Sequence, residues 1–400
     1  MSTVADSSPS VDRSALRSYR LDRVRRELAR CDYAAAVLYD PVNIRYATDT
    51  SNMQVWTLHN PVRYAFVPAQ GPVVLFEFHG CAHLADGFVT VDEVRPAIAW
   101  YYFGAGSRVE EMAARWAAEV ADLVRDHGGG NRRIAADRLD PLGVAALSSL
   151  GVSVHDGQEV MEQARLIKSA DEIDAMRASI AACQAGMRAM RDALRPGISE
   201  NELWSHLHQT NIAHGGEWIE TRLLTSGTRT NPWFQECGER VIQAGDIVSF
   251  DTDLIGPYGY CADISRTWLC GDGRPTDEQR RLYAMAHEQV HRNVERVRVG
   301  MSFKEFTECG VTLPEPYVRQ RYSVFAHGVG LCDEYPSILY PEDFEQSGYD
   351  GILQENMTIC VESYVGEPGG AEGVKLEEQV LLTADGAVPL STYPFEEDFL

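Results

Sequence analysis

The chain has 400 residues, 44 % of them hydrophobic, enough for two domains that each bury a core. Its 59 acidic against 36 basic side chains leave a formal net charge of -23, which argues against nucleic acid and anionic membrane as general partners, because such a surface repels phosphate. The nine cysteines show no C-x-x-C spacing, the first residues lack the basic start and apolar core of a signal peptide, and no apolar run approaches a membrane span, so a reduced, cytoplasmic protein is expected.

The first dozen residues read as a flexible tail. Leucines and a valine at helical spacing predict a helix over Ser14 to Cys31, and the strand AAAVLYD follows it. Val62 to Phe78 reads as a hairpin turning at Gln70-Gly71-Pro72. A helix around Val109 to His127 breaks at Gly128-Gly129-Gly130, and RRIAAD, LGVAALSSL and VSVHDG continue an alternating β/α domain to near Glu159. From Ala170 to Leu194, the side chains Ile173, Met176, Ile180, Cys183, Met187 and Leu194 share one helical face, which predicts an amphipathic helix opening a second domain. The boundary is placed near residue 165, giving domains 1–165 and 166–400. Ser199 with Glu202 spells a capping box for the next helix.

The segment GDIVSFDTDLIGPYGYCADISRTWLCG reads as two strands joined by a turn at Gly256-Pro257-Tyr258-Gly259. Side chains two apart in a strand share a face, so Asp251 and Asp253 are expected to point the same way and the hairpin to return Asp263 toward them. Carboxylates gathered on one patch need protonation or a bound cation. His327 lies in FAHGVGLCDEYP, where Gly328 and Gly330 allow a close backbone approach; Glu362 interrupts the apolar strand MTICVESYV, and Glu377 lies in VKLEEQVLLT. Hard oxygen donors with one imidazole suit Mn, Fe, Co or Zn. A competing motif, His287-Glu288-Gln289-Val290-His291, spells H-E-x-x-H, but the apolar face of its helix (Leu282, Met285, Ala286, Val290, Val297) turns both histidines outward. His79, Cys81 and His83 alternate as they would on a strand face, yet a fourth ligand is missing and a structural role is expected.

The order Asp, Asp, His-Gly-x-Gly, Glu, Glu resembles the pita-bread metalloenzyme family of methionine aminopeptidases, prolidases and creatinases. That resemblance implies an α/β (α+β) fold with an N-terminal creatinase-like domain and a C-terminal pita-bread domain holding two divalent ions, about 3.5 Å apart in such two-metal sites. Carried over, Asp253, Asp263 and Glu377 would hold one ion and Asp263, His327, Glu362 and Glu377 the other, with Asp251 as a sixth metal-site position. Peptide-cleaving members carry further histidines where this chain has Asn231-Pro232-Trp233 and Asp333-Glu334. Over nearly its whole length, including YDPVNIRYATDTSNMQVWTLHNP and GGEWIETRLLTSGTRTNPWFQECG, the chain is instead similar to the dimethylsulfoniopropionate lyases of this fold. That similarity implies a carbon–sulfur lyase, most readily with iron, acting on a small zwitterion as a homodimer, with Asp333 as base and Trp56 and Tyr322 as substrate contacts. Trp233 is a third aromatic candidate, because a sulfonium is recognised by aromatic faces. The alternatives are a small-molecule C–N hydrolase or an Xaa-Pro aminopeptidase-like metallopeptidase.

Overall fold

The computed structural model describes residues 11–400, so most of the predicted tail lies outside the described residues. Two compact units divide between Arg165 and Leu166. No helix among the described residues is long and apolar enough to cross a membrane.

In the N-terminal unit, strands β1 (Ala35–Leu38), β2 (Tyr64–Pro68), β3 (Val74–Glu77), β4 (Glu93–Pro96), β5 (Arg133–Ala136) and β6 (Ser153–Asp156) form one sheet in the order β4-β3-β2-β1-β5-β6. The expected hairpin is β2 against β3, antiparallel with Tyr64 opposite Phe76. Helix α1 spans Arg13–Arg30, with Asp12 accepting from the backbone N–H of Ser14 and Ala15 as its cap. Two short helices, α2 (Pro41–Thr48) and α3 (Gln54–Thr57), follow β1, and α4 covers Val109–His127. The segment carrying α3 and Trp56 is tied down by a buried ion pair. Arg63 Nε donates to Glu77 Oε2 at 2.6 Å, and Asn52 Nδ2 donates to Glu77 Oε1 at 3.0 Å. Removing one partner of such a buried pair typically costs about 3–5 kcal/mol. His79, Cys81 and His83 do not share a strand face. They sit in a turn and a short 3-10 helix beyond the end of β3, because Gly80 takes φ +79° and ends the extended run.

Asp137, just past β5, is buried and accepts from the backbone N–H of Tyr39 and Asp40 and from Asn43 Nδ2. Burial outweighs those bonds and raises its carboxyl to about 6. A folded-state pKa above the unfolded value means the native state holds the proton more tightly, so this group weakens the fold as pH rises from about 4 to about 6. The unfolding free energy from denaturant titrations should therefore fall over that window, by up to about 2–3 kcal/mol from this group. In Asp137→Asn the fall should disappear, and an unchanged pH profile in that variant would refute the assignment.

The C-terminal unit begins at Leu166. Helix α5 (Ala170–Ala193) is opened by a capping box of Ser169 and Glu172, and α6 (Glu200–Ala213) by the expected Ser199 and Glu202. The predicted face of α5 is the buried one: Ile180, Cys183 and Met187 pack with Leu203, Trp204, Leu207, Phe250 and Trp268. Each fully buried apolar side chain of this kind contributes about 1.5–3 kcal/mol. Three sheets follow, built from β7 (Trp218–Ile219), β8 (Leu224–Ser226), β9 (Ile247–Phe250), β10 (Leu254–Ile255), β11 (Cys261–Ala262), β12 (Arg266–Leu269), β13 (Ala326–Val329), β14 (Asp333–Ile338), β15 (Thr358–Gly366), β16 (Gly373–Thr383) and β17 (Gly386–Pro389). Their orders are β11-β10-β7, β12-β9-β8 and β14-β13-β15-β16-β17. The expected aspartate hairpin is thus split between two sheets, with β9 pairing β12 and β10 pairing β11. Residues 251–253 are not strand at all. Asp253 has φ +35°, so strand alternation does not govern where Asp251 and Asp253 point.

Candidate metal centre

Asp251 and Asp253 occupy the break between β9 and β10, Asp263 directly follows β11, and His327 lies in β13. Glu362 of β15 stands directly opposite Glu377 of β16. Like charges placed so across an antiparallel pair repel, and all five carboxylates are buried, none more than 8 % exposed. The backbone brings His327 close by two glycines. A Cβ on Gly328 would meet the Tyr335 carbonyl at 2.2 Å, and one on Gly330 would meet the Glu334 carboxylate at 2.4 Å. The first of these sits at the register shift between His327 and Gly328 where β13 pairs with β14.

Three groupings of donors form, in each of which one atom per residue lies within 4.8 Å of the others: Asp263, His327, Cys360 and Glu377; Asp251, Glu362 and Glu377; Asp251, Asp253 and Asp263. His327 Nε2 stands 3.5 Å from Asp263 Oδ2, 3.5 Å from Glu362 Oε1 and 3.4 Å from Glu377 Oε1. One ring nitrogen cannot hydrogen-bond three carboxylates, whereas metal–ligand bonds of about 2.0–2.2 Å set neighbouring donors roughly this far apart. His327 Nδ1 lies 3.0 Å from the Gly328 carbonyl, so an N–H there donates outward and leaves Nε2 as the inward lone pair. Asp263 Oδ1, Glu362 Oε1 and Glu377 Oε1 are buried and accept no hydrogen bond. Orphaned acceptors of this kind cost about 1–3 kcal/mol each, and a cation would satisfy all three. The residues therefore fit a divalent metal centre.

The electrostatics agree. Burial raises Asp251, Asp253 and Asp263, and their carboxylate neighbours raise them further. Burial lifts Glu362 to about 8, with Lys375 opposing and Glu377 adding to it. Burial also opposes ionisation of Glu377, but Lys375 and His327 overturn this and hold it well below the ordinary range. For His327, burial disfavours the charge, yet Asp333, Glu377 and Glu362 raise its pKa well above the usual value.

Sequence reading passed over three participants. Lys375 is fully buried, with Nζ 3.1 Å from Asp251 Oδ2, 2.8 Å from Glu362 Oε2 and 3.0 Å from Glu377 Oε2. Ser265 Oγ lies 2.7 Å from both Asp251 Oδ1 and Glu377 Oε2 and accepts from Lys375 Nζ at 2.8 Å. Cys360 pairs across the sheet with His327. The signal was strand parity: Lys375 lies two residues before Glu377, and Cys360 two before Glu362, each on its ligand's face. Asp253 lies in one grouping with Asp251 and Asp263, while Lys375 contacts all three members of the grouping Asp251, Glu362 and Glu377.

Asp333, at the start of β14, keeps a side chain 55 % exposed, with Oδ1 3.7 Å from His327 Nδ1. Protein crowded round the carboxyl still raises its pKa, against a lowering by His327. The Tyr322 ring lies 4.5 Å from Lys375 Nζ and stacks on Phe234 at 5.0 Å. Burial and the Glu362 charge keep its phenol neutral, far above the ordinary value. Trp233 is buried against Tyr364 with ring centroids 5.9 Å apart, while its neighbour Phe234, at φ +66°, is 59 % exposed. Trp56 is half-buried in the N-terminal unit, 5.6 Å from the Phe78 ring. Asn231, standing where peptidases were expected to have a histidine, is engaged in structure. It donates to the carbonyls of Glu367 and Gly370 and accepts from Gln320 and Tyr364. In the H-E-x-x-H helix, α7 (Asp277–Arg296), Glu288 pairs with Arg292 and His291 with Glu295 on the exposed side.

The model of metallopeptidase family M24 matches residues 174–384, which include every grouped donor. The chain belongs to the M24 family. It is 43 % identical over 392 residues to dimethylsulfoniopropionate lyase DddP of Roseovarius nubinhibens, covering 96 % of this chain and 87 % of that one. The same figures hold for dimethylsulfoniopropionate lyase DddP of Roseobacter denitrificans. Among solved structures, an Xaa-Pro dipeptidase from Bacillus anthracis matches with a TM-score of 0.74 at 21 % identity, covering 95 % of this chain and 98 % of that one. That likeness concerns the fold, the pita-bread architecture of the family.

Proposed function

We propose that this M24 member is a dimethylsulfoniopropionate lyase, releasing dimethyl sulfide and acrylate by base-catalysed β-elimination. The observation that carries the reading is the buried cluster of five carboxylates and His327 beside an open carboxylate, Asp333, in a chain 43 % identical to two lyases of that name. Asp251, Asp253, Asp263, His327, Glu362 and Glu377 are assigned as the metal ligands. When bound, two divalent ions would supply Lewis acidity that stabilises negative charge on the substrate carboxylate as the α-carbon loses its proton. Asp333 takes that proton. The C–H electron pair becomes the new C=C bond, the Cβ–S bond breaks with its electrons going to sulfur, and a neutral sulfide and acrylate leave. Raised by its desolvated setting, Asp333 is a stronger base than an ordinary aspartate.

A sulfonium offers no hydrogen bond, so aromatic faces must recognise it. Trp56, Tyr322 and Trp233 are assigned to that task, and exposed Phe234 joins Tyr322 in the role. Iron is the proposed ion, and the protein is taken to be a cytoplasmic homodimer; the lack of a disulfide among the described cysteines supports a reducing compartment. Metal-loaded protein given dimethylsulfoniopropionate should release dimethyl sulfide into the headspace, and elemental analysis should find two ions per chain. No sulfide from fully loaded protein would defeat the reading. Trp56→Ala should raise KM about tenfold, in keeping with about 1–2 kcal/mol for a desolvated cation–π contact, and leave metal content as it was. An unchanged KM would remove Trp56 from the substrate site.

A further inference from the structure

We propose that Lys375 is a built-in cation of the metal centre, sharing its carboxylates with the bound ions so that one ammonium and two divalent ions together bring the cluster to neutrality. The charges lead there directly. Asp251, Asp253, Asp263, Glu362 and Glu377 bring five negative charges into a buried pocket. Lys375 cancels one, and two divalent ions cancel the remaining four. A lysine that merely paired with one neighbour would touch one carboxylate. Lys375 Nζ contacts three, at 2.8 to 3.1 Å, which together make up one donor grouping and through Glu377 and Asp251 belong to the other two as well. Its fourth neighbour, Ser265 Oγ, touches Asp251 and Glu377 in turn, so the ammonium and the hydroxyl hold the Oε2 side of Glu377 while its Oε1 faces His327. Lys375 has 0 % exposure, so bulk solvent does not screen its charge. It is a positioning residue rather than a catalytic one.

Sharing has a measurable consequence. Remove the charge, and the carboxylates repel one another more when ions are absent but attract added ions more strongly. The metal-free protein should lose more stability than the loaded one. The inference rests on the two-ion centre and is independent of the substrate assigned above, so its test measures unfolding rather than sulfide release.

Protein stripped with a chelator and protein reloaded with Mn2+ would be melted side by side. In wild type, Mn2+ raises Tm by mass action. In Lys375→Met that rise should be wider by about 5 °C or more, and in Lys375→Arg it should match wild type. Folding of Lys375→Met only when Mn2+ is present would be the limiting form of the same result. An equal or narrower rise in Lys375→Met would overturn the proposal, as would a widened rise in Lys375→Arg. Should Lys375→Met and Lys375→Gln both fail to fold with and without Mn2+, the ions cannot stand in for the ammonium and the proposal also falls.

Discussion

Glu377→Gln is expected to weaken metal binding by about 100-fold or more and to abolish sulfide release with it. Partners outside the coordination shell typically change metal affinity by about 10- to 100-fold, and a ligand should exceed them. Glu377 belongs to two of the three donor groupings, faces Glu362 across the strand pair, and lies within 3.4 Å of His327 Nε2 and 3.0 Å of Lys375 Nζ. The amide keeps the volume, so packing of β16 is preserved. It removes the charge that balances Lys375, and its NH2 turns a donor toward Lys375 Nζ and Ser265 Oγ, which already donate to that carboxylate. Elemental analysis after gel filtration, with circular dichroism to confirm the fold, decides the matter. Two ions retained in a folded variant would rule out Glu377 as the shared ligand. Asp263→Asn, which alters another doubly grouped carboxylate, should behave alike.

Asp333→Asn should show the complementary pattern, with elimination slowed by about 100- to 10,000-fold and metal content intact, in the range that general-base catalysis contributes. Asp333 belongs to none of the donor groupings, and its exposed side chain stands 3.7 Å from His327 on the nitrogen turned away from the carboxylates. Its removal leaves the buried charges in place. Headspace sulfide measured beside metal content separates the two roles: loss of metal would make Asp333 a ligand, and an undiminished rate would send the search for the base elsewhere.

Much of this was legible in the sequence because it depended on local periodicity. The buried face of α5, the capping box at Ser199 and Glu202, and the β2–β3 hairpin follow from spacing along a single element. The surface placement of His291 on α7 follows in the same way, whereas His287, also expected to turn outward, packs edge-on against Phe395 and is only partly exposed. Asp251 and Asp253 were read as strand neighbours and are not, because the left-handed backbone at Asp253 answers to the site rather than to local preference. That Trp233 turns inward and its neighbour Phe234 outward could not be read from hydropathy, which treats two adjacent aromatics alike.

From residue order alone came the identity of the acidic groups and the histidine, since ligand chemistry is a property of side-chain type and of motif. Which carboxylates stand beside His327, the presence of Lys375 among them, and the place of Cys360 beside His327 were decided by β13, β15 and β16 pairing in register. Strand register fixes contacts between residues far apart in the chain. The buried setting then turns those contacts into charge interactions strong enough to order the whole cluster.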